Sequence, residues 1–309
     1  MKKRVTVGTD PEFFLRRIED GKLISAIPYI KGTKENPEPL ENGGNVQFDN
    51  VAIEFATDPA KDGADLVKKI SNAFKDVLKK VPEGHELAVE PSGSFDADQL
   101  DTEEAQQFGC DPDYCAWELK VNDPPFCDDP TLRTCGGHIH VGLNPGDGND
   151  FLMDPYGKAD VVKIMDIFHG IISVLLDNSE LAITRRKLYG KAGCHRPVMK
   201  DAGGLYDGVE YRVLSNFWFK TPELVMLMDS LTEDVLEIMR DGKHNELIET
   251  IGEKRIRNTI DNGDAEEADT IIKEFVYNRL SQNSIYYLTT SMEKLEENVC
   301  FVTEWKLEA

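Results

Sequence analysis

Gly136-Gly137-His138-Ile139-His140-Val141-Gly142 is the stretch on which the reading of this chain turns. A glycine pair opens it, apolar residues alternate with imidazoles, and a glycine closes it, which is the pattern of a half-buried strand spanning 134–143. Side chains two apart on a strand share a face. His138 and His140 therefore point one way, and Ile139 and Val141 the other.

Three further segments repeat this arrangement. Asp10 and Glu12 share a face in Gly8-Thr9-Asp10-Pro11-Glu12-Phe13. The run 46–56 reads as a single strand, with Asn50 and Glu54 on one face and Val51, Ile53 and Phe55 on the other. Glu210 and Arg212 alternate with Val209, Tyr211 and Val213. If these strands belong to one sheet, its apolar face packs on helices and its other face gathers carboxylates, imidazoles and a guanidinium. Clustered carboxylates raise one another's pKa unless a cation lies between them. A carboxylate-rich set with few histidines suits Mg²⁺ or Mn²⁺.

Composition narrows the function. The 309 residues carry 35 Lys+Arg against 57 Asp+Glu, a net charge of −22, which opposes general nucleic-acid binding. An apolar fraction of 40% supplies a core without disulfides or structural metal. The most apolar run, 161–183, is interrupted by Lys163, Asp166, His169, Asp177 and Glu180, so it reads as a buried helix rather than a membrane span; His169 reads as a core or helix-surface histidine. No signal-peptide pattern is present, and a cytoplasmic location is expected. Cys110, Cys115, Cys127 and Cys135 lack the paired C-x2-C spacing of a zinc knuckle and read as ordinary thiols. P-loop, G-x-G-x-x-G, G-x-S-x-G and H-E-x-x-H motifs are missing.

The layout is that of one α+β domain over 1–309, with a core over 1–220 and a helical portion over 221–309. Strands are expected over 3–8, 12–17, 23–26, 86–90 and 209–214. A helix is expected after Asp58-Pro59, as cap and first turn, through Leu66, Ile70, Phe74 and Val77. Others are expected over 159–182, 222–240, 265–280 and 284–297. Residues 92–132 and 185–208 read as loops, the former long enough to be functional.

Taken in order, the blocks at 8–13, 49–55, 136–142, Tyr189-Gly190-Lys191-Ala192-Gly193…Arg196 and Glu210-Tyr211-Arg212 resemble those of phage-type carboxylate–amine ligases, type 2, an amidoligase branch of the glutamine synthetase/glutamate–cysteine ligase superfamily. The resemblance covers roughly residues 5–220. It implies an α+β fold with a curved, mainly antiparallel sheet, binding ATP and two or three Mg²⁺ ions, with Mn²⁺ as a substitute. It implies an amide bond formed through an acyl phosphate on an amino acid, peptide or protein substrate. By the same resemblance Glu12, Glu54, His140 and Glu210 are metal ligands, and His138 is a second-line ligand or phosphate contact. Arg212 steadies the transferring phosphoryl group, Arg186 and Arg196 bind the acceptor carboxylate or γ-phosphate, and Lys191 lies near phosphate, with Arg185 the weaker choice of the adjacent pair. Asp10 stands where glutamate–cysteine ligases usually carry Glu, and its shorter side chain implies contact with metal through water. Residues 108–129 are a candidate lid. A metal-dependent amide hydrolase and a non-catalytic metal- or nucleotide-binding module are the alternatives.

Overall fold

The computed structural model describes residues 5–106, 113–144, 148–297 and 299–307. Residues 108–112 of the candidate lid lie outside these.

Among the described residues, fourteen short strands build the sheet framework: β1 (Thr6–Thr9), β2 (Glu12–Arg17), β3 (Leu23–Ile24), β4 (Glu38–Pro39), β5 (Asn45–Asp49), β6 (Ala52–Ala56), β7 (His85–Ala88), β8 (Ser92–Ser94), β9 (Tyr114–Cys115), β10 (Lys120–Val121), β11 (Leu132–Thr134), β12 (Ile139–Gly142), β13 (Cys194–Val198) and β14 (Gly208–Tyr211). One sheet has the order β1-β12-β14-β13-β9-β10, and a second has the order β3-β2-β6-β5-β4 with β7 also paired to β2. Every pairing is antiparallel.

The two sheets are stitched where β1 runs through Asp10-Pro11 into β2. Val7 and Ala60 exchange both backbone hydrogen bonds, at 3.0 and 2.7 Å. The Glu12 amide donates to Gly136 O at 3.0 Å. A curled antiparallel surface results, backed by helices, as the sequence led us to expect.

The helix Gly63–Leu78 buries Leu66, Ile70, Ala73, Phe74 and Val77. Its N-cap is Asp62, which accepts from the Asp65 amide, and not Asp58. The cap-plus-proline signal at 58–59 is overridden because Ala60 is held in the ladder with Val7. Thr221 caps the helix Pro222–Arg240, with Pro222 in its first turn, where a missing N–H costs nothing. This helix packs against Gly63–Leu78 and Gln282–Glu296. The helix expected over 159–182 is Pro155–Met165 and Ile171–Leu176 joined by one wider π turn, Asp166–Gly170.

Residues 92–132 are not loop throughout, since they carry β8, β9 and β10, and two further segments differ from expectation. The run 46–56 is a hairpin rather than one strand: β5 and β6 pair from Asn45↔Ala56 to Asp49↔Ala52, turning through Asn50 at φ 53°. Asparagine tolerates that left-handed backbone, so Asp49-Asn50 is a turn signal. Residues 185–208 are not loop throughout, since Ser179 caps the helix Glu180–Leu188 and β13 lies between β14 and β9.

The glycine pair ahead of β12 permits close packing. A Cβ on Gly137 would lie 2.7 Å from both Ser215 O and the Trp218 Nε1 that donates to Gly137 O. Among the described residues no helix is long and apolar enough to cross a membrane. Cys115, Cys135 and Cys194 are buried free thiols.

His169, in the π turn, is fully buried, with Nε2 beside Met228 O (3.1 Å) and Thr232 Oγ1 (3.2 Å). Burial lowers its pKa to about 4. The unfolded chain thus binds more protons than the folded one between pH ~6.5 and about 4, and stability is lost as pH falls through that window. The full effect is roughly 3 kcal/mol. Chemical denaturation across this range should show wild type losing more stability than His169→Gln; parallel pH profiles would contradict this assignment.

Candidate active site

Two cross-strand rows place the polar side chains. In the first, His140 of β12 faces Glu210 of β14, which faces Arg196 of β13. Residues directly opposite in an antiparallel pair share a face. In the second, Glu12 of β2 faces Glu54 of β6, which faces Gln47 of β5, and Asp49 lies two positions along from Gln47. The rows are tied together by the Gly136 amide, which donates to Glu12 Oε2 at 2.7 Å. Asp10, in the bend between β1 and β2, lies at their junction.

The result is two groups of ligand atoms. Single atoms of Asp10, His140 and Glu210 lie within 4.8 Å of one another, and so do single atoms of Glu12, Asp49 and Glu54. His140 Nε2 and His138 Nδ1 approach Asp10 Oδ1 to 3.1 and 3.2 Å. Neither approach has hydrogen-bond geometry, and this buried oxygen has no hydrogen-bond partner among the described residues.

The electrostatics of the two groups differ. Burial, then the charge of Asp49, pushes the Glu12 carboxyl up to about 8. Burial, then the charges of Asp10, Asp49 and Glu12, pushes Glu54 well above its usual range, and one hydrogen bond from Gln47 (3.2 Å) does not offset this. In the first group burial also acts upward, but the imidazoles of His140 and His138 outweigh it at Asp10 and hold that carboxyl well below the usual range. Glu210 is lowered too: burial would raise it, but the Arg212 guanidinium, in direct contact, outweighs this together with the imidazoles. Burial, then Arg212, lowers His138, outweighing the pull of Asp10 and Glu210.

These features fit divalent cations. The carboxylates of the second group repel one another, and Asp10 Oδ1 has two imidazole contacts but no hydrogen bond among the described residues. Five carboxylates and one imidazole form a hard, oxygen-rich donor set of the Mg²⁺ or Mn²⁺ kind. Beside the groups opens a cleft lined by Glu12, Asp49, His138, Arg185, Tyr189 and Arg212, with Asp113 at its wall. Arg212 Nε lies 3.8 Å from Asp113 Oδ2.

Not all residues singled out from the sequence converge here. Glu12 and Glu54 meet in one group, and His140 and Glu210 in the other. His138 and Arg212 border both cleft and ligands, with Arg212 Nη1 3.4 Å from His138 Nδ1. Arg196 is half-buried, its Nη1 3.6 Å from Glu210 Oε2. Arg186 faces away from the cleft, donating to Asp177 O (2.9 Å) and Ser173 O (3.4 Å). Arg185 lines the cleft instead, donating to Val213 O at 2.8 Å with an unpartnered Nε. Gly190, at φ 76°, makes room for it, since a Cβ there would lie 2.1 Å from Arg185 Nη1. Lys191 is exposed, and its charge acts on Asp261.

Asp49 went unrecognised as a ligand because the hairpin turn beside it was read through. Asp10, expected to reach metal through water, itself presents an oxygen to the first group.

No protein-family model and no curated protein matches the chain. Among solved structures, a glutamate–cysteine ligase from Francisella tularensis in complex with AMP superposes with a TM-score of 0.54 at 10% identity, over 96% of this chain and 83% of that one. A bifunctional glutathione synthetase from Pasteurella multocida aligns over 99% of this chain at 11% identity and a TM-score of 0.42, and a glutamine synthase homologue over 95% at 13% and 0.40. This chain spans 51% of that glutathione synthetase and 70% of the glutamine synthase homologue. The class defined here is therefore one of fold: an α+β chain sharing the architecture of the glutamate–cysteine ligase.

Removing one repelling carboxylate should stabilise the metal-free protein. In chelator, Glu54→Gln is expected to melt about 2–4 °C above wild type, and added Mn²⁺ should raise the melting temperature of wild type far more than that of the variant. A lower melting temperature in chelator would mean that the three carboxylates are not in conflict.

Proposed function

We propose that this chain is an ATP-dependent carboxylate–amine ligase that forms an amide through an acyl phosphate. The observation that carries the proposal is the pair of adjoining ligand groups, Asp10/His140/Glu210 and Glu12/Asp49/Glu54, beside a cleft bearing Arg185 and Arg212. The shared fold with a glutamate–cysteine ligase and the sequence resemblance to phage-type amidoligases support it.

In this reading the two groups hold Mg²⁺ ions, which neutralise triphosphate charge and polarise the γ-phosphoryl group. The remaining work falls to the chain's own residues. Arg212 and Arg185 present guanidinium donors from fixed positions, held by Glu210 on one side and the Val213 carbonyl on the other. A substrate carboxylate oxygen attacks the γ-phosphorus, and the bond to ADP breaks. The amine nitrogen then attacks the acyl carbon, phosphate leaves, and the amine gives up a proton to a base.

The reading extends to an amino acid, peptide or protein substrate, to residues 1–309 acting as one catalytic unit, and to a cytoplasmic setting, a host cytoplasm if a phage encodes the chain. A zinc-dependent hydrolase is less well supported, because each group offers at most one imidazole.

With Mg²⁺, ATP and pooled carboxylates and amines, phosphate release should require both an acid and an amine. Asp49→Asn should lower the rate at least about 100-fold, or about 2.7 kcal/mol. Amide cleavage with Zn²⁺ and no ATP would favour the hydrolase. Nucleotide binding without turnover under any pool would favour a binding module.

A further inference from the structure

We propose that Tyr206 is the positioning residue of the first cation group, its hydroxyl holding the orientation of His140 and accepting from Nδ1 when Nε2 ligates. The inference rests on the cation-binding reading above and adds a residue that does not itself ligate.

Tyr206 Oη lies 2.7 Å from His140 Nδ1, and the two rings meet at 69°. Imidazole has two nitrogens, and the bond at one decides what the other can do. When Nδ1–H donates to the tyrosine oxygen, Nε2 carries a lone pair. Nε2 is the atom that faces Asp10, at 3.1 Å. The opposite arrangement, with the hydroxyl donating to Nδ1, would leave a proton on Nε2 and block ligation.

The backbone is shaped to receive this ring. Gly142 of β12 and Gly208 of β14 stand directly opposite one another in the ladder. A Cβ on Gly142 would lie 2.6 Å from Thr6 Oγ1 and 3.3 Å from Tyr206 Cδ2, and one on Gly208 would lie 2.9 Å from Cε2. Facing glycines within paired strands weaken a sheet and mark the close approach of another group, here the tyrosine ring. Gly208 is also required by the ladder itself, because its Cβ would meet Val141 O at 2.0 Å. The loop carrying the tyrosine is closed at both ends: Leu143 N donates to Asp207 O (2.8 Å), Lys200 N to Asp207 Oδ1 (3.1 Å) and Gly204 N to Met199 O (2.9 Å). The hydroxyl is therefore delivered from a fixed direction.

Partners on the far nitrogen of a ligating histidine typically change metal affinity by 10–100-fold when removed. Mn²⁺ titrations of the full chain, followed by electron paramagnetic resonance of the free ion, should find two bound ions in wild type. In Tyr206→Phe one of them should weaken by about 10–100-fold, while the ion in the Glu12/Asp49/Glu54 group keeps its affinity. Equal weakening of both ions would make Tyr206 a general structural residue and overturn the proposal. Unchanged binding of both would overturn it while leaving the cation reading intact. No Mn²⁺ binding by wild type would defeat the reading underneath as well. Nitrogen-15 spectra of the Mg²⁺-loaded wild type give a second test that needs no variant. The proton should sit on His140 Nδ1, hydrogen-bonded and protected from exchange; a proton on Nε2 would contradict the assignment.

Discussion

The repulsion among carboxylates that the sheet brings together is the interaction on which the rest of this structure depends. Glu12, Asp49 and Glu54 place oxygens within 4.8 Å of one another, and Asp10 adds its charge to Glu54. Two like charges about 4 Å apart cost about 4 kcal/mol at the effective dielectric of a protein surface. Proton uptake is one way to relieve this, and Glu12 and Glu54 have pKa values raised first by burial and then by these neighbouring charges. A divalent cation is the other, and it converts a local instability into a binding site.

The fold supplies this crowding by bending one strand. β1 runs in the first sheet and β2 in the second, and Asp10-Pro11 lies where the chain passes between them. Three reciprocal contacts hold the bend: Val7 with Ala60, Thr57 N with Thr9 O, and Glu12 with Gly136. Gly137 lets the segment ahead of β12 lie against Trp218. The polar rows thus converge although their members are scattered from Asp10 to Arg212.

Much of this was legible in the sequence, because a period of two on short strands directly reports a shared face. The pairs His138/His140 and Glu210/Arg212 needed no more than that, whereas Asp10 and Glu12 stand on either side of the bend between β1 and β2 and enter different groups. The antiparallel α+β architecture was legible as well, and His169 lies in the core. Cross-strand neighbours were harder to read, since register depends on turns. Asp49 was passed over because Asp49-Asn50 was read as strand interior, although asparagine at a left-handed position is turn chemistry. The Arg185/Arg186 choice depended on helical phase. Successive residues on a helix point about 100° apart, so one arginine of the pair meets the cleft and its neighbour meets the core. With 185–208 read as loop, no phase was available. The cap signal at Asp58 was sound local chemistry that lost to a long-range ladder contact at Ala60.

The central claim is that these side chains share two cations. Anomalous diffraction from crystals grown with Mn²⁺ tests it most directly. The account requires one manganese peak among Asp10, His140 and Glu210 and another among Glu12, Asp49 and Glu54. Strong manganese peaks elsewhere on the protein, with neither group occupied at saturating Mn²⁺, would contradict it.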